Sequence, residues 1–207
     1  MRELLVATTN PGKAREFRQM LGEDRFAWID PTSAGALEVE ETGRTFRDNA
    51  CLKATAYAIH FGKWTIADDS GLEVDALGNE PGVFSARWAA MNNGGEGDAA
   101  NNALLLQRLE SVTDERRTAR FVCALALADP AGRIAMTSFG EVSGRIIREA
   151  RGGNGFGYDP LFFIDSMDKT TAELPPEEKH KISHRGTALR RMHELIDRCI
   201  PKDLVCG

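Results

Sequence analysis

Residues 64–77 read WTIADDSGLEVDAL, and this stretch decides how the rest of the chain is interpreted. The apolar run WTIA predicts a buried strand that stops at Asp68-Asp69-Ser70-Gly71, and LEVDAL predicts another strand. Ligands commonly bind at the carboxyl ends of strands in α/β sheets. Because neighbouring side chains of an extended backbone point to opposite sides, one carboxylate can face a metal ion and water while the other braces the site. A solvated turn with a helix cap is the alternative interpretation.

Outward from this stretch, helices and strands alternate, but several strands neighbour each other directly. Upstream we predict a strand ELLVAT ending at Thr8, a helix from about Lys13, a short strand over 26–29 and a helix from about Thr45. Downstream we predict a flexible loop over 90–102 and then a helix carrying Leu104 to Leu109. Two paired strands with a turn at Asp129 to Gly132 follow. A short strand LFFI and a last helix over SHRGTALRRMHELIDRC complete the prediction. The pattern predicts an α/β protein with a mixed sheet. Because no linker separates independent domains, we expect residues 1–207 to form one domain, and the pattern is compatible with two lobes.

Composition restricts the class of protein. The 207 residues carry a net charge of −5 from 26 basic and 31 acidic residues, which argues against a general nucleic-acid binder. No apolar run approaches the roughly 18 residues that a membrane span needs, and MRELLVATTN predicts a first strand instead of a signal peptide. Cysteines stand at 51, 123, 199 and 206 without a CxxC pair. Because Cys51 and Cys123 lie in apolar or helical stretches, we expect these two to be reduced core thiols in a cytoplasmic protein.

Residues 8–13, TTNPGK, place a tight turn between a predicted strand and a predicted helix. The N-terminal amides and dipole of that helix favour an anion. Thr8, Thr9 and Asn10 supply donors, and Lys13 adds positive charge. The motif is not a Walker A loop, because the Ser or Thr that must follow the lysine is missing. An ordinary capped turn explains the spacing as well as phosphate binding does.

An acidic segment, VEETG at residues 39–43, precedes the helix that carries Asn49 and Lys53. Either Glu40 or Glu41 can supply a second carboxylate to a cation that prefers hard oxygen ligands, such as Mg²⁺. Taken alone, the segment is better interpreted as a solvated acidic loop.

The glycine-rich segment GGNGFGYDP covers residues 152–160. Glycines flank Phe156, which favours a ring that stands free for a flat base to stack on, and Tyr158 and Asp159 add polar edges. A glycine-rich turn before a strand is an equally good interpretation.

The segment EEKHKISHRG covers residues 177–186 and leads into the last helix. His184 and Arg185 fall in the first turn of that helix, where cations oppose the helix dipole. This small local cost indicates that both side chains are placed for a ligand. A capped helix with surface charges is the alternative.

Taken together, these motifs resemble the pyrophosphatases of non-standard purine nucleoside triphosphates, the inosine triphosphatase and Ham1-like family. The matching strings occur in family order over nearly the whole chain: TTNPGK, VEETGRTFRDNACLKA, IADDSGLEVDALGNEPGVFSAR, TARFVCAL, GFGYDPLFF, KTTAEL and EEKHKISHRG. The resemblance implies an elongated α/β fold with two lobes, a substrate cleft between them, and a homodimer. It also implies Mg²⁺-dependent hydrolysis of ITP, dITP or XTP to the nucleoside monophosphate and pyrophosphate, which cleanses the nucleotide pool.

The resemblance also implies roles for individual residues. Asp69 looks like the general base and a metal ligand, and a glutamate near position 40, either Glu40 or Glu41, looks like the second metal ligand. The residues that look like triphosphate contacts are Thr8, Thr9, Asn10, Pro11, Gly12, Lys13, Lys53 and Ser70. The residues that look like the base and sugar pocket are Phe156, Gly157, Tyr158, Asp159, Lys179, His184 and Arg185.

Base selectivity is expected from the O6 edge of the purine. The Arg185 guanidinium or backbone amides can satisfy O6 of inosine and xanthine, whereas the amino group of adenine leaves a buried donor unpaired. The chain departs from the family pattern at Trp88-Ala89-Ala90 and the Asn/Gly loop that follows. This departure affects loop shape and dimer contacts, not the chemistry.

Two other functions are compatible with these motifs. One is a Maf-like pyrophosphatase that acts on modified pyrimidines, dTTP or UTP. The other is a nucleotide-sensing module that binds without hydrolysis, although the intact Asp68-Asp69 pair speaks against it. A nucleic-acid partner fits the acidic balance least.

Overall fold

Seven strands form one mixed sheet in the computed structural model, which describes residues 2–22, 26–29 and 37–199. In chain order the strands are β1 (Arg2–Val6), β2 (Phe26–Ile29), β3 (Thr65–Val74), β4 (Thr118–Ala128), β5 (Ile134–Ile146), β6 (Phe162–Ile164) and β7 (Lys169–Thr170). The α-helices are α1 (Pro11–Leu21), α2 (Phe46–Phe61), α3 (Trp88–Met91), α4 (Gly97–Arg108), α5 (Pro176–Ile182) and α6 (His184–Cys199).

The strand order is β2-β1-β3-β4-β5-β6-β7. Strand β1 pairs in parallel with β2 and with β3, where Leu5 is opposite Thr65. Strand β6 pairs antiparallel with β5, where Arg145 is opposite Phe163, and with β7. The prediction of an α/β protein with a mixed sheet is therefore confirmed.

Strand β3 differs from the prediction. The expected end of the strand at Asp68 is wrong, because β3 continues through both aspartates, Ser70 and Gly71 to Val74. The segment LEVDAL is not a second strand, since its last three residues form a 3-10 turn, Asp75–Leu77. Two carboxylates can stay inside a buried strand because cationic and amide side chains from elsewhere in the chain pair with them. The residues next to the strand in sequence do not indicate these distant partners, so the prediction ended the strand too early.

The expected flexible loop over 90–102 is also wrong in part. Helix α3 covers its start and α4 begins at Gly97. Asn101 connects the two helices, because its Oδ1 accepts from Ala89 N at 2.8 Å and its Nδ2 donates to Ala86 O at 3.1 Å. Asparagine usually favours turns, but here a buried asparagine satisfies backbone groups between helices.

Helices α1 and α2 begin within two residues of the predicted starts at about Lys13 and about Thr45. Asn10 caps α1 with Pro11 at its first position, and Thr45 caps α2 by accepting from Asp48 N. Strands β4 and β5 are neighbours joined at the predicted turn, in which Gly132 N donates to Asp129 O. Within the described ranges, no helix is both long enough and apolar enough to cross a bilayer.

The described residues divide into two compact units. The first lies within Met1–Asp69, Cys123–Gly140 and Arg185–Gly207, and the second within Ser70–Val122 and Glu141–His184. Each has its own apolar core. In the first unit, Phe17 and Leu21 are four residues apart on one face of α1 and are buried in that core. Removing the Phe17 ring should cost about 3–5 kcal/mol.

Two cysteines carry free thiols among the residues whose side chains are described, namely Cys51 and Cys123. Burial raises the pKa of the Cys123 thiol to about 12, so this group is a neutral part of the core. Both observations agree with the prediction of reduced thiols. Cys206 and the side chain of Cys199 lie outside the described residues.

Candidate active site

Asp68 and Asp69 are consecutive residues of β3, and they contact different partners within the first unit. Lys13 Nζ lies 2.8 Å from Asp68 Oδ2, and Arg185 Nε lies 3.7 Å from the same oxygen. Asn49 Nδ2 donates to Asp69 Oδ2 at 3.0 Å. This division follows from the strand, in which successive side chains point to opposite sides.

The carboxylate of Asp68 is surrounded by positive charge. Its side chain is only 1% exposed, and burial alone would raise the pKa of the carboxyl group. Lys13, Arg185 and Lys53 outweigh burial and hold that pKa well below its usual range. Arg185 also pairs with Glu16. Although burial opposes the charge of the guanidinium, Glu16 and Asp68 raise the pKa of Arg185.

Asp69 is buried with less positive charge around it. Burial raises the pKa of its carboxyl group to about 6, Lys53 opposes this shift, and Glu41 adds to it. Lys53 offsets only part of the effect of burial on the Asp69 pKa, because its Nζ lies 2.5 Å from Glu41 Oε1 but 3.9 Å from Asp69 Oδ1. A carboxyl group with a pKa close to neutrality is suited to take up a proton during a reaction.

Glu41, and not Glu40, is the residue of the acidic segment that reaches Lys53. Glu40 is exposed, and its backbone carbonyl accepts a hydrogen bond from Thr42 N. Glu41 and Asp69 both approach Lys53. In residues 2–22, 26–29 and 37–199, no three His, Cys, Asp or Glu converge as a metal-binding group. Two carboxylates nevertheless fit Mg²⁺, which usually takes one or two and retains water and phosphate oxygens.

The TTNPGK segment forms a capped turn between β1 and α1. Asn10 Oδ1 accepts from Lys13 N at 3.1 Å, and Asn10 N donates to Thr8 Oγ1 at 3.2 Å. Thr9, Asn10 and Pro11 are exposed, while the Lys13 ammonium group is fixed on Asp68. The segment therefore presents a helix N-terminus and one oriented cation.

In the second unit, Asp159 is the centre of a buried polar cluster. Its Oδ2 accepts from Lys179 Nζ at 2.6 Å and from Phe156 N at 2.8 Å, and its Oδ1 accepts from Thr171 Oγ1 at 2.7 Å. Lys179 Nζ also lies 5.3 Å from the centre of the Phe156 ring, within the range of a cation–π contact. We call Phe156, Asp159, Thr171 and Lys179 the Asp159 cluster.

Gly155 is required by this cluster. Its φ is +80°, and a Cβ atom at this position would lie 2.0 Å from Asp159 Oδ2. The glycine thus makes room for a carboxylate, and the neighbouring Phe156 ring is half-buried.

Helix α4 forms hydrogen bonds to Gly157 of the glycine-rich segment. Asp98 Oδ2 accepts from Gly157 N at 2.6 Å, and Asn102 Nδ2 donates to Gly157 O at 2.9 Å. The buried hydroxyl group of Tyr158 donates to Ser85 O at 2.9 Å. The peptide groups around Gly157 are therefore fixed by residues that we expected in a flexible loop.

His184 is the last residue of the second unit and makes an aromatic contact within it. Its ring stacks on Phe121 at 5.0 Å between centroids with an interplanar angle of 19°. Burial and stacking fix the plane of the imidazole. Ser70, also assigned to this unit, is half-buried in β3.

Comparison with known proteins identifies the relationship that these motifs indicated. Residues 4–195 match the model of the Ham1 family. The chain belongs to the Ham1 family. A dITP/XTP pyrophosphatase of Exiguobacterium sibiricum is 51% identical over 197 residues, which cover 94% of this chain and 96% of that protein. A HAM1 protein from Coxiella burnetii has a similar structure, with a TM-score of 0.85, 39% identity and coverage of 96% of this chain and 100% of that chain.

The Ham1-family residues predicted from sequence fall into two groups, one in each unit. The first unit contains Thr8, Thr9, Asn10, Pro11, Gly12, Lys13, Glu40, Glu41, Lys53, Asp69 and Arg185. The second unit contains Ser70, Phe156, Gly157, Tyr158, Asp159, Lys179 and His184.

Sequence reasoning assigned no role to several residues that hold these groups in place. They are Glu16, Asn49, Ser85, Asp98 and Asn102. For Asn49 a signal existed, because it precedes Lys53 by four residues and therefore shares a helix face with it.

Proposed function

We propose that this Ham1-family chain is a Mg²⁺-dependent pyrophosphatase that hydrolyses ITP, dITP and XTP to the nucleoside monophosphate and pyrophosphate. The observation that carries the proposal is the buried Asp69 carboxyl group, whose pKa is raised to about 6 beside Lys53 and Glu41. The names of the dITP/XTP pyrophosphatases to which the chain is similar support the same substrate class.

Asp69 is the general base in this proposal. The carboxylate takes the proton of the attacking water, the water oxygen bonds to phosphorus, and the bond between the α- and β-phosphates breaks. A base with a pKa of about 6 is largely ionised at neutral pH and still basic enough for proton transfer. Asp68 does not share this role, because Lys13 and Arg185 hold the pKa of its carboxyl group well below the usual range, which makes this carboxylate a weak base.

Glu41 and Asp69 would hold the metal ion. When bound, Mg²⁺ lowers the pKa of a coordinated water and offsets phosphate charge. We choose Glu41 over Glu40 because Glu41 approaches Lys53 whereas Glu40 is exposed.

Two lysines of the first unit stabilise the departing pyrophosphate. Lys13 is oriented by Asp68, and the ammonium group of Lys53 lies near Glu41 and Asp69. Although burial disfavours the charge of Lys53, the surrounding carboxylates raise its pKa. Lys53 therefore stays cationic and, together with Lys13, offsets the negative charge that grows on the leaving group.

The second unit recognises the base and sugar in this proposal. The Phe156 ring offers a stacking surface, and the Asp159 cluster holds it. The Arg185 guanidinium pairs with Glu16 and Asp68, which favours backbone amides over Arg185 as the donors to purine O6. Adenine cannot accept such donors at this position, and the unpaired groups would reduce its turnover.

We also assign both units to a single pyrophosphatase domain, and we propose that the protein is a cytoplasmic homodimer. The family resemblance supports the dimer. The free thiols of Cys51 and Cys123 suit a reducing compartment.

The test is to incubate purified protein and Mg²⁺ with ITP, XTP, GTP, ATP and dTTP and to measure pyrophosphate and orthophosphate separately. We expect pyrophosphate from ITP and XTP and little from ATP. We also expect little from GTP, because guanine shares O6 and its 2-amino group must therefore be refused by the shape of the pocket. Orthophosphate as the product would contradict cleavage between the α- and β-phosphates. Preferential turnover of dTTP would favour the Maf-like specificity, and binding without any product would favour the sensing module.

A further inference from the structure

Asn49 is a completely buried polar residue of α2, with 0% of its surface exposed. Its Nδ2 donates to Asp69 Oδ2 at 3.0 Å. Its Oδ1 accepts from Gly43 N at 2.8 Å. One side chain thus connects the carboxyl group of β3 to the backbone of the acidic segment, two residues after Glu41.

We propose that Asn49 is a positioning residue, which sets the orientation of the Asp69 carboxyl group and holds the Glu41 segment in register with it. This inference rests on the proposed function, because it concerns the same pair of carboxylates. Asn49 itself touches neither substrate nor metal in this scheme.

The direction of the Asn49 amide follows from its two partners. Gly43 N can only donate, so the asparagine atom that faces it must be the carbonyl oxygen. The amide nitrogen therefore faces Asp69 and donates a hydrogen bond to Oδ2. The other carboxyl oxygen, Oδ1, is left on the side of Lys53. The hydrogen bond thus fixes the orientation of the Asp69 carboxyl group, with one oxygen on Asn49 and the other towards the cation.

The residue type is also specific. Asparagine is neutral and both donates and accepts, so it orients Asp69 without adding a second positive charge beside it. A lysine here would favour the ionised carboxylate and weaken the base. An aspartate would lose the donor and place a second carboxylate against Asp69. An alanine would leave both buried partners without their hydrogen bonds.

Gly43 makes the bridge sterically feasible. A Cβ atom at this position would lie 2.5 Å from Asn49 Oδ1, 2.7 Å from Asp48 Cβ and 2.9 Å from Asn49 N. Replacing Gly43 with alanine therefore displaces the acidic segment from Asn49 while the asparagine itself is retained. This substitution provides a second, independent way to break the same link.

The experiment compares wild type with Asn49→Ala, Asn49→Asp and Gly43→Ala, and measures kcat and KM for ITP by pyrophosphate release. We expect each variant to lower kcat by about 10–100-fold, the usual cost of removing such a supporting contact, with a much smaller change in KM. Asn49→Asp is isosteric, so it tests the donor if the alanine variant fails to fold. A variant that loses affinity for ITP but retains kcat would contradict a positioning role.

Asn101→Ala is the matched control. Asn101 is also buried and also bridges two groups, but these are the backbone atoms of Ala89 and Ala86 in the second unit. We expect it to lower the free energy of unfolding while kcat stays close to the wild-type value.

A second measurement does not depend on activity. Hydrogen–deuterium exchange of the Gly43 amide, without nucleotide or metal, should be protected in wild type and accelerated at least about tenfold in Asn49→Ala, since the amide loses its acceptor. If wild type is active and Asn49→Ala matches its kcat, or if Gly43 exchange is unchanged, the inference is wrong. If wild type releases no pyrophosphate, the proposed function fails first and this inference fails with it.

Discussion

Asp68 and Asp69 are adjacent in one buried strand, yet the pKa values of their carboxyl groups are shifted in opposite directions. Burial opposes the charge of both residues. At Asp68, Lys13 and Arg185 reverse this effect, whereas at Asp69 the burial effect prevails and raises the pKa to about 6. Two carboxylates whose environments separate their pKa values are suited to separate chemical tasks. Asp68 acts as a fixed anion and Asp69 as a titratable group.

The first prediction concerns Asp69→Asn. Because folding raises the pKa of Asp69 from 3.8 to about 6, protonation stabilises the fold. This contribution is fully present below pH 3.8 and is lost as the pH rises through about 6. Asparagine does not titrate. When the pH is lowered from about 7.5 to about 4.5, the free energy of unfolding of Asp69→Asn should therefore fall by about 2 kcal/mol relative to that of wild type. Urea unfolding at both pH values measures this difference.

Asp165→Asn is the control for removing one negative charge. Asp165 is exposed and pairs with Arg145 on the surface, so its variant measures the effect of losing one negative charge outside the core over the same pH interval. A constant difference between Asp69→Asn and wild type would show that the Asp69 pKa is not raised.

The second prediction concerns Asp68→Asn, for which the sign is opposite. The lowered pKa of Asp68 contributes stability above its ordinary value of 3.8, and this contribution is lost as the pH falls through the lower, folded-state value. At neutral pH the variant leaves Lys13 and Arg185 without their shared carboxylate. We expect a loss of about 3–5 kcal/mol, as for other buried ion pairs that lose one partner.

Thermal and urea unfolding at neutral pH test this prediction. Under the same conditions Asp165→Asn should change stability by no more than about 1 kcal/mol, because an exposed pair contributes little. Equal losses from both variants would contradict the assignment of Asp68 as a buried, compensated charge.

The same region shows how far sequence reasoning reaches. The pattern WTIADDSG predicts a strand with two functional carboxylates, but not that the strand continues beyond them. The continuation depends on partners such as Lys13 and Arg185, which are distant in sequence. Asn49 lies 20 positions from Asp69, and only tertiary packing brings them together. The Gly and Asn residues after Trp88 favour a loop by composition, and a buried asparagine instead joins two helices there.

The third prediction concerns Asp159 and Lys179, the ion pair at the centre of the Asp159 cluster. Both side chains are buried and lie 2.6 Å apart. Asp159→Ala leaves the Lys179 charge buried without its carboxylate, so we expect a loss of about 3–5 kcal/mol. The double variant Asp159→Ala/Lys179→Met removes that charge and should recover part of the loss.

A double-mutant cycle by urea unfolding measures the recovery. Coupling of about 1–3 kcal/mol is expected for two groups in direct contact. If the two single losses add without coupling, the pair does not act as a buried ion pair.

The fourth prediction concerns the contacts that α4 makes with Gly157. Asp98 accepts from Gly157 N, and Asn102 donates to Gly157 O. Since neither belongs to the Asp69 environment, loss of these bonds should loosen the segment next to Phe156 without changing proton transfer. We therefore expect Asp98→Ala and Asn102→Ala to raise KM for ITP by about 3–10-fold, with kcat largely retained, as when uniform binding is lost.

Asp114→Ala is a suitable control for these two variants, because Asp114 is an exposed aspartate of the second unit that pairs with Arg148. It should leave KM unchanged. Hydrogen–deuterium exchange of the Gly157 amide should accelerate in Asp98→Ala, which removes its acceptor, and not in Asp114→Ala. If KM rises without faster exchange, the effect does not act through the Gly157 peptide. If kcat falls and KM stays constant, α4 supports the chemical step and not the binding of the base, and the division of tasks between the two units proposed above is wrong.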